Sequence, residues 1–140
     1  GQIQIEKTLD NLIRIYVKKR YHYCYICGTT ENLQVGHAWS RRNYAARWNL
    51  EVIRAECLQC NYFDDQNNKK FREALKMEIG EKKYKRLEQK MNKNSDKIIE
   101  IKKALLELAE AFEKIGEKEL AKHCIRLFEK IYGNIIIKGV

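Results

Sequence analysis

Residues 24–61 read CYICGTTENLQVGHAWSRRNYAARWNLEVIRAECLQCN, and this stretch decides the fold. It begins with one Cys-x-x-Cys pair, Cys24 and Cys27, and ends with a second pair, Cys57 and Cys60. Two such pairs offer four thiolates at about 2.3 Å from one zinc ion, in the tetrahedral arrangement of structural zinc sites. The segment between the pairs is too long for a bare zinc knuckle, so we expect two short strands and a loop built on a zinc-bound scaffold.

The chain has five cysteines, and the fifth, Cys124, lies far from the two pairs in a stretch with helical periodicity. Paired Cys-x-x-Cys motifs without an apolar leader favour metal binding in a reducing compartment, and disulfide bonds are the alternative interpretation. No apolar run approaches the roughly 18 residues that a membrane span needs. We therefore expect a cytoplasmic chain, or one inside the host cell if it is viral, that is neither secreted nor bound to a membrane. Cys124 is expected to be a small core residue.

Positive charge is concentrated in the first two thirds of the chain. The 28 Lys and Arg residues exceed the 19 Asp and Glu residues, for a formal net charge of +9. Nearly all of this excess lies in residues 1–93, whereas residues 94–140 are close to neutral. An excess of this size is typical of proteins that bind a polyanion such as nucleic acid. A lysine-rich solvated surface is the alternative, and charge alone does not decide between the two.

Hydrophobic periodicity predicts a mostly helical α+β chain. Residues 3–19 carry apolar side chains at helical spacing and predict an opening helix. Residues 33–35 alternate as a short strand that delivers His37 at its end, and residues 49–53 predict a second strand. The segment 40–47 between them is polar and basic, and it predicts a loop.

The rest of the chain is predicted to be helical. A helix is expected from Asn61 onward with a break at Gly80, followed by a linker at 92–95 in which Ser95 is a candidate N-cap. Two amphipathic helices are predicted beyond the linker, at 96–115 and 117–132. Their apolar stripes are expected to be buried within the chain, with a homodimer through these helices as the alternative. The three isoleucines at 135–137 suit a strand or a contact surface.

The order of these features resembles a known nuclease family. A strand ending in Gly36-His37, a basic loop, Trp48-Asn49-Leu50, a strand, Cys57-x-x-Cys60-Asn61 and a helix follow one another as in the HNH, or ββα-metal, nucleases. The chain is more similar to the phage Rap/NinG recombination endonucleases, and phage recombination endonuclease VII shares the zinc knuckles and the Cys-Asn ending. The resemblance covers about residues 21–90.

The resemblance implies an α+β, mostly helical fold with a zinc-stapled ββα-metal (HNH) core flanked by an N-terminal helix and C-terminal helices. We expect three parts along the chain. They are an N-terminal helix at 1–20, a zinc-containing HNH-like nuclease domain with its following helices at 21–92, and a C-terminal helical hairpin at 95–140.

The resemblance also implies a general base and a catalytic cation. His37 stands where the HNH motif has its base, and a neutral imidazole with a pKa near 6.5 can take a proton from water; a metal-binding or structural His37 is the alternative. Asn49 matches the middle Asn of the motif, which holds the base in place. Asn61 replaces the final His of the motif and is expected to hold Mg²⁺ or Mn²⁺ together with Asp64 or Asp65, three and four residues further on.

One position departs from the common motif. Many HNH enzymes carry an Asp or His metal ligand immediately before the base, where this chain has Gly36. The Rap/NinG-like chains share this glycine. The catalytic cation is therefore expected to find its ligands in the helix acids, in water and in the DNA phosphate.

Arginines and aromatic residues between the base and the second cysteine pair are candidate DNA contacts. Arginine forks match phosphate oxygens, and aromatic faces such as Tyr44 and Trp48 stack on unpaired bases. Packing of Trp48 inside the small zinc core is the alternative for that residue, and a solvated helix face is the alternative for the lysines. The predicted DNA-binding residues are Arg41, Arg42, Arg47, Arg54, Lys69 and Lys70.

These features predict a metal-dependent DNA endonuclease of recombination that acts on branched or structured DNA, with structural Zn²⁺ and catalytic Mg²⁺ or Mn²⁺. In this interpretation His37 activates water for phosphodiester hydrolysis. A non-catalytic zinc module that binds DNA or RNA is one alternative, and metal-dependent nicking separates it from the nuclease. A protein-interaction adaptor that uses the C-terminal hairpin is the other, and it would lose its partner on deletion of 95–140. Branch specificity comes from the resemblance alone.

Overall fold

The computed structural model describes residues 2–63 and 68–139, with side chains described for 4–63 and 68–132. This part of the chain is mostly helical and contains one small sheet. Its elements are α1 (Gln2–Arg20), β1 (Leu33–His37), α2 (Tyr44–Arg47), a 3₁₀ turn (Leu50–Val52), β2 (Ile53–Cys57), α3 (Leu58–Phe63), α4 (Lys69–Ile79), α5 (Glu81–Met91), α6 (Lys97–Lys114) and α7 (Lys118–Gly139).

β1 and β2 form an antiparallel hairpin that brings the two cysteine pairs together. Leu33 at the start of β1 is paired with Cys57 at the end of β2. The backbone N–H of Tyr25, inside the first pair, donates a hydrogen bond of 2.9 Å to the carbonyl of Ala55 in β2. The sheet therefore holds both pairs at one end of the hairpin.

The two faces of the hairpin meet different helices. Because side chains alternate along a strand, Leu33, Val35 and His37 share one face, and Leu33 and Val35 pack against the core that contains α1. Gln34 and Gly36 share the other face. Gly36 lies against Phe71 of α4 on that side.

The second strand begins later than predicted. Of the predicted strand 49–53, only Ile53 belongs to β2. The side-chain oxygen of Asn49 accepts the backbone N–H of Glu51 at 3.0 Å and caps the 3₁₀ turn, because a short Asn side chain competes with extended pairing for local backbone donors. The predicted loop 40–47 also contains a helical turn, α2, capped in the same way by Asn43.

α1 buries one face in the main hydrophobic core. This face packs against α6 and α7 and against residues around the hairpin, and the ring of Tyr16 meets Phe112 of α6 edge to face at 5.5 Å. Cys124 of α7 is fully buried in the same core. Most of the apolar stripes of α6 and α7 is thus buried within the chain, whereas Ile98 of α6 and Ile131 of α7 are exposed. The buried core residues of α1 are Leu9, Leu12, Ile13, Tyr16 and Val17.

A second cluster forms where α4 and α5 cover the loop that follows β1. Phe71 and Leu75 of α4 are fully buried and pack with Trp39 of the loop. Gly80 separates α4 from α5, as predicted, and its φ of +88° lies in the left-handed region that suits glycine.

Three predicted helix details are corrected. α3 starts at Leu58, directly after β2, and not at Asn61. The N-cap of α6 is Asp96, whose carboxylate accepts the backbone N–H groups of the first turn, whereas Ser95 donates to Glu100. The isoleucines at 135–137 belong to α7 and not to a strand, and their side chains lie outside those described. Within the described residues, no helix combines the length and the apolar character required to cross a membrane.

Candidate metal centre and active site

The four predicted zinc cysteines converge on one point. The sulfur atoms of Cys24, Cys27, Cys57 and Cys60 all lie within 4.8 Å of one another. Four sulfurs at about 2.3 Å from a zinc ion stand about 3.8 Å apart along each edge of their tetrahedron. The Cys27 and Cys57 sulfurs are 3.7 Å apart. The donor set and its spacing therefore fit a zinc ion.

Backbone N–H groups beside the first cysteine pair favour the metal-binding form of Cys24. The backbone N–H groups of Ile26 and Cys27 point at the Cys24 sulfur, at 3.3 and 3.5 Å. Burial alone would raise the pKa of the Cys24 thiol, but backbone N–H donors stabilise the thiolate and lower the pKa to about 6. At neutral pH Cys24 is thus in the thiolate form that binds zinc.

The second pair uses the same local device at the end of β2. The backbone N–H of Cys60 points at the Cys57 sulfur at 3.3 Å. Cys57 is the last residue of β2, and α3 begins at the next residue, so Cys60 lies in the first turn of the helix. Cys57 is buried and Cys60 is partly exposed. This places the cluster at the edge of the fold, with one side open to solvent.

His37 lies at the end of β1, partly buried, and its ring is fixed by one hydrogen bond. Its Nε2 atom stands 2.9 Å from the carbonyl oxygen of Arg47. A carbonyl oxygen only accepts, so Nε2 carries the proton and Nδ1 of the neutral ring keeps its lone pair. Burial lowers the pKa of His37 below its ordinary value, and the Arg41 and Arg47 charges lower it further, although the Arg47 carbonyl and Asp10 oppose them. His37 is therefore a neutral base at neutral pH.

The loop between β1 and β2, which includes α2 and carries the Arg47 carbonyl, is tied to α1. The guanidinium of Arg47 donates two hydrogen bonds to the carboxylate of Asp10, at 3.2 and 2.6 Å, and one to Glu6 at 3.3 Å. The indole N–H of Trp48 donates to the same Asp10 carboxylate at 2.8 Å. Trp48 is buried in the core and Arg47 is only 19% exposed at its side chain.

Sequence reasoning missed Asp10 and Glu6. Both lie on α1, which the periodicity identified only as an amphipathic helix. The available signal was their position four residues apart, beside the apolar stripe that contains Ile13 and Val17. An acid that borders a buried helix face commonly has a cationic partner, but the sequence does not show that the partner lies 37 residues away.

Asn49 is buried next to this loop. Its side-chain oxygen caps the turn before β2, and among the described residues its amide nitrogen has no hydrogen-bond partner. Asn49 thus ties the segment between Arg47 and β2 to the backbone. Its predicted role of holding the base in place stays a prediction.

A cleft of about 570 Å³ lies between α1 and β1, with His37 in its wall. Its floor is apolar and includes Ile13, Val17 and Val35. Among the described residues that line it, four are cationic and one, Asp10, is acidic. The cationic residues are Arg14, Lys18, Arg41 and Arg47. An excess of positive charge beside a neutral base suits a phosphate group.

The position before His37 has no room for a side chain. A Cβ atom at Gly36 would lie 2.7 Å from Oε1 of Glu56 and 3.0 Å from a ring carbon of Phe71. Glu56 is buried, at 2% exposure, on the neighbouring strand. The glycine is thus explained by packing, and Glu56 brings a carboxylate to the position where a ligand side chain at 36 would stand.

Asn61 lies on the same side of the hairpin as Gly36. Its side-chain nitrogen donates to the side-chain oxygen of Gln34 at 3.1 Å, so its oxygen, the atom that would bind a cation, is not used in that bond. Asn61 is exposed. Asp64 and Asp65, the other predicted cation ligands, lie outside the described residues.

The predicted DNA-binding cations fall into two groups. Arg41 and Arg42 are exposed, as are Lys69 and Lys70 on α4. Arg47 and Arg54 form the second group, and Arg47 is largely shielded in its ion pairs with Asp10 and Glu6. Arg54 is buried and pairs with Glu78 of α4 through two hydrogen bonds of 3.2 and 3.3 Å, and it also donates to three backbone carbonyls. DNA binding by these residues stays a prediction, and the contacts of Arg54 favour a structural role for that side chain.

Comparison with known proteins places the chain in a family. Neither the curated proteins nor the solved structures that were compared include one that matches it. A family model described as bacteriophage lambda NinG protein matches residues 2–122. That match spans α1, the cysteine cluster, the His37 loop and α6, which is most of the chain. The protein therefore belongs to the bacteriophage lambda NinG family.

Proposed function

We propose that this protein is a metal-dependent DNA endonuclease of recombination, in which His37 activates water for phosphodiester hydrolysis. The observation that carries the proposal is the state of His37. Its Nε2–H is held by the Arg47 carbonyl, its Nδ1 lone pair is unused in that bond, and burial lowers its pKa. A positioned neutral imidazole is the group that a general base requires.

The cation-lined cleft supports a phosphodiester substrate. The exposed side chains of Arg14, Lys18 and Arg41 line the cleft beside His37, and their guanidinium and ammonium groups match phosphate oxygens. As a water molecule attacks phosphorus and the new P–O bond forms, the bond from phosphorus to the leaving deoxyribose oxygen breaks. One proton of the attacking water moves to Nδ1 of His37, and the leaving oxygen takes a proton from solvent. Arg47 keeps the opposite ring nitrogen protonated, so the imidazole accepts the proton at one defined atom.

Two metal roles belong to this proposal. Zinc on the four cysteines is structural, because four thiolates leave no open position for substrate. A second cation, Mg²⁺ or Mn²⁺, would when bound neutralise charge at the phosphate and at the leaving oxygen. Asn61 would hold it together with Asp64 or Asp65, and a hard cation of this kind accepts water as its remaining ligands.

The proposed substrate is branched or otherwise structured DNA, and the proposal takes this preference from the family resemblance. The exposed aromatic pair Tyr62 and Phe63, whose rings lie 4.9 Å apart on α3, supports it. Aromatic faces that are exposed to this degree stack on unpaired bases. A homodimer through α6 and α7 is a further proposal, since Leu106 and Ile125 of these helices are exposed.

The test is metal-dependent cleavage by the zinc-loaded full chain. Supercoiled plasmid, a four-way junction and a linear duplex of matched length are incubated with Mg²⁺, with Mn²⁺ or with neither. We expect cleavage only with the added cation, and faster cleavage of the junction than of the duplex. Tight binding of DNA or RNA without any cleavage would instead establish the non-catalytic zinc module. Absence of both activities would leave the adaptor function of the helical hairpin as the better account.

A further inference from the structure

One carboxylate on α1 organises the whole loop behind the proposed base. Asp10 accepts four hydrogen bonds. They come from the two Arg47 guanidinium nitrogens, from the Trp48 indole at 2.8 Å and from Arg41 at 3.1 Å. A carboxylate has about four lone-pair positions, so these contacts use its full capacity. The residues that it holds, Arg47 and Trp48, are consecutive.

The position of Asp10 is itself rigid. α1 is anchored on both sides of Asp10 by Leu9 and Ile13, which are buried in the main core. The carboxylate is three-quarters shielded from solvent, and its bond to the Arg47 NH2 group is a short 2.6 Å. Charge-assisted, forked bonds of this kind fix geometry as well as energy.

The loop in turn sets the state of His37. Arg47 binds Asp10 through its side chain and His37 through its backbone carbonyl. Displacement of Arg47 would move the only described acceptor that holds Nε2–H, and the imidazole would be free to rotate or to exchange tautomers. The outer partners of a functional histidine commonly fix its tautomer and ring orientation in this way.

We propose that Asp10 is a positioning residue for His37: by clamping Arg47 and Trp48 to α1, it fixes the carbonyl that selects the Nε2–H tautomer and aims Nδ1 into the cleft. The role of His37 as the base rests on the proposed function. The positioning of Arg47 and Trp48 by Asp10 does not rest on the proposed function, because the tautomer of His37 can be measured without any DNA cleavage.

The test uses ¹⁵N-labelled, zinc-loaded full chain and the imidazole ¹⁵N–¹H correlations of its three histidines. Wild type should show His37 as a single Nε2–H tautomer, and Asp10→Asn should show a mixture of both. Cleavage at saturating DNA should fall about 10–100-fold in Asp10→Asn with DNA affinity within about threefold, the size expected when a supporting partner of a functional group is lost. A folded Asp10→Asn chain with only the Nε2–H tautomer would overturn the proposal.

Two further variants keep the test decisive. Glu117→Gln removes an ion pair between α1 and the segment before α7, at Lys19, and should leave the His37 tautomer unchanged. Arg47→Lys keeps the positive charge but loses the forked guanidinium that binds Asp10, and it replaces Asp10→Asn in the test if that variant does not fold. It should also show a mixture of His37 tautomers. A single Nε2–H tautomer in a folded Arg47→Lys chain would overturn the proposed role of Asp10. A wild type that never cleaves DNA contradicts the nuclease, whereas the tautomer still decides the role of Asp10.

Discussion

Oε1 of Glu56 lies only 2.7 Å from the point where a Cβ atom at Gly36 would stand. The two residues are on adjacent strands of the hairpin and face the same side. Packing thus explains the glycine before His37, because the space that a side chain at this position would need is filled by the buried Glu56.

The first prediction follows from this contact. Gly36→Ala should destabilise the protein by about 1–3 kcal/mol, because overpacking a filled site forces its neighbours to move. Chemical denaturation of the zinc-loaded protein measures the change, with zinc content as the control. An alanine variant of wild-type stability would show that Glu56 or Phe71 moves away at no cost.

A second prediction concerns the cysteine cluster. Cys57→Ser should lower zinc from one ion per chain and unfold the segment around the hairpin, because metal binding of this kind contributes directly to folding. Cys124→Ala is the matched control, since Cys124 is buried far from the cluster in the α7 core, and it should retain one zinc. Elemental analysis after gel filtration gives the metal content. Folded wild type that contains no zinc would rule out the structural zinc site.

The third prediction separates a structural arginine from one available to DNA. Arg54→Ala should destabilise the protein by about 1–3 kcal/mol, because three carbonyls and Glu78 lose their donor. Arg41→Ala, with an exposed side chain, should cost less than about 1 kcal/mol but weaken DNA binding, with a shallower dependence of affinity on salt. Denaturation and fluorescence anisotropy measure the two effects. A reversed pattern would assign Arg54 to the DNA surface.

The fourth prediction is the pH dependence of cleavage. Burial lowers the pKa of His37 from 6.5, so the fraction of neutral base rises with pH through a value below 6.5 and is complete above it. Single-turnover rates should therefore rise from acidic pH with a midpoint below pH 6.5 and then level off. The hydrogen bond to the Arg47 carbonyl and the Asp10 charge oppose the lowering of the pKa only in part. An inflection above pH 6.5 would show that the titrating base is not a buried His37.

Much of this site was accessible from the sequence, because its signals are local. The spacing of Cys24 with Cys27, and of Cys57 with Cys60, gives the metal cluster, since each pair needs only one turn. The alternation before His37 gives β1. Local signals did not predict where β2 starts. The side chain of Asn49 accepts a backbone N–H in the turn before the strand, so β2 begins later in the chain than predicted.

The long-range ion pairs could not be predicted. Asp10 meets Arg47 only because α1 packs across the hairpin, and Arg54 meets Glu78 only because α4 covers its other face. Arginines 47 and 54 therefore looked equivalent to Arg41 in the sequence, as cations in one basic stretch. The fold distinguishes them by burial and by their acidic partners.

The central claim is that His37 is the general base, and its most direct test is the single-turnover cleavage rate of a four-way junction by zinc-loaded His37→Ala. Loss of a positioned base should lower this rate by about 10²–10⁴, while DNA affinity stays within about threefold and zinc content is unchanged. His22→Ala, which removes an exposed histidine just beyond α1, should cleave at the wild-type rate. A purified His37→Ala protein that cleaves as fast as wild type would contradict the account.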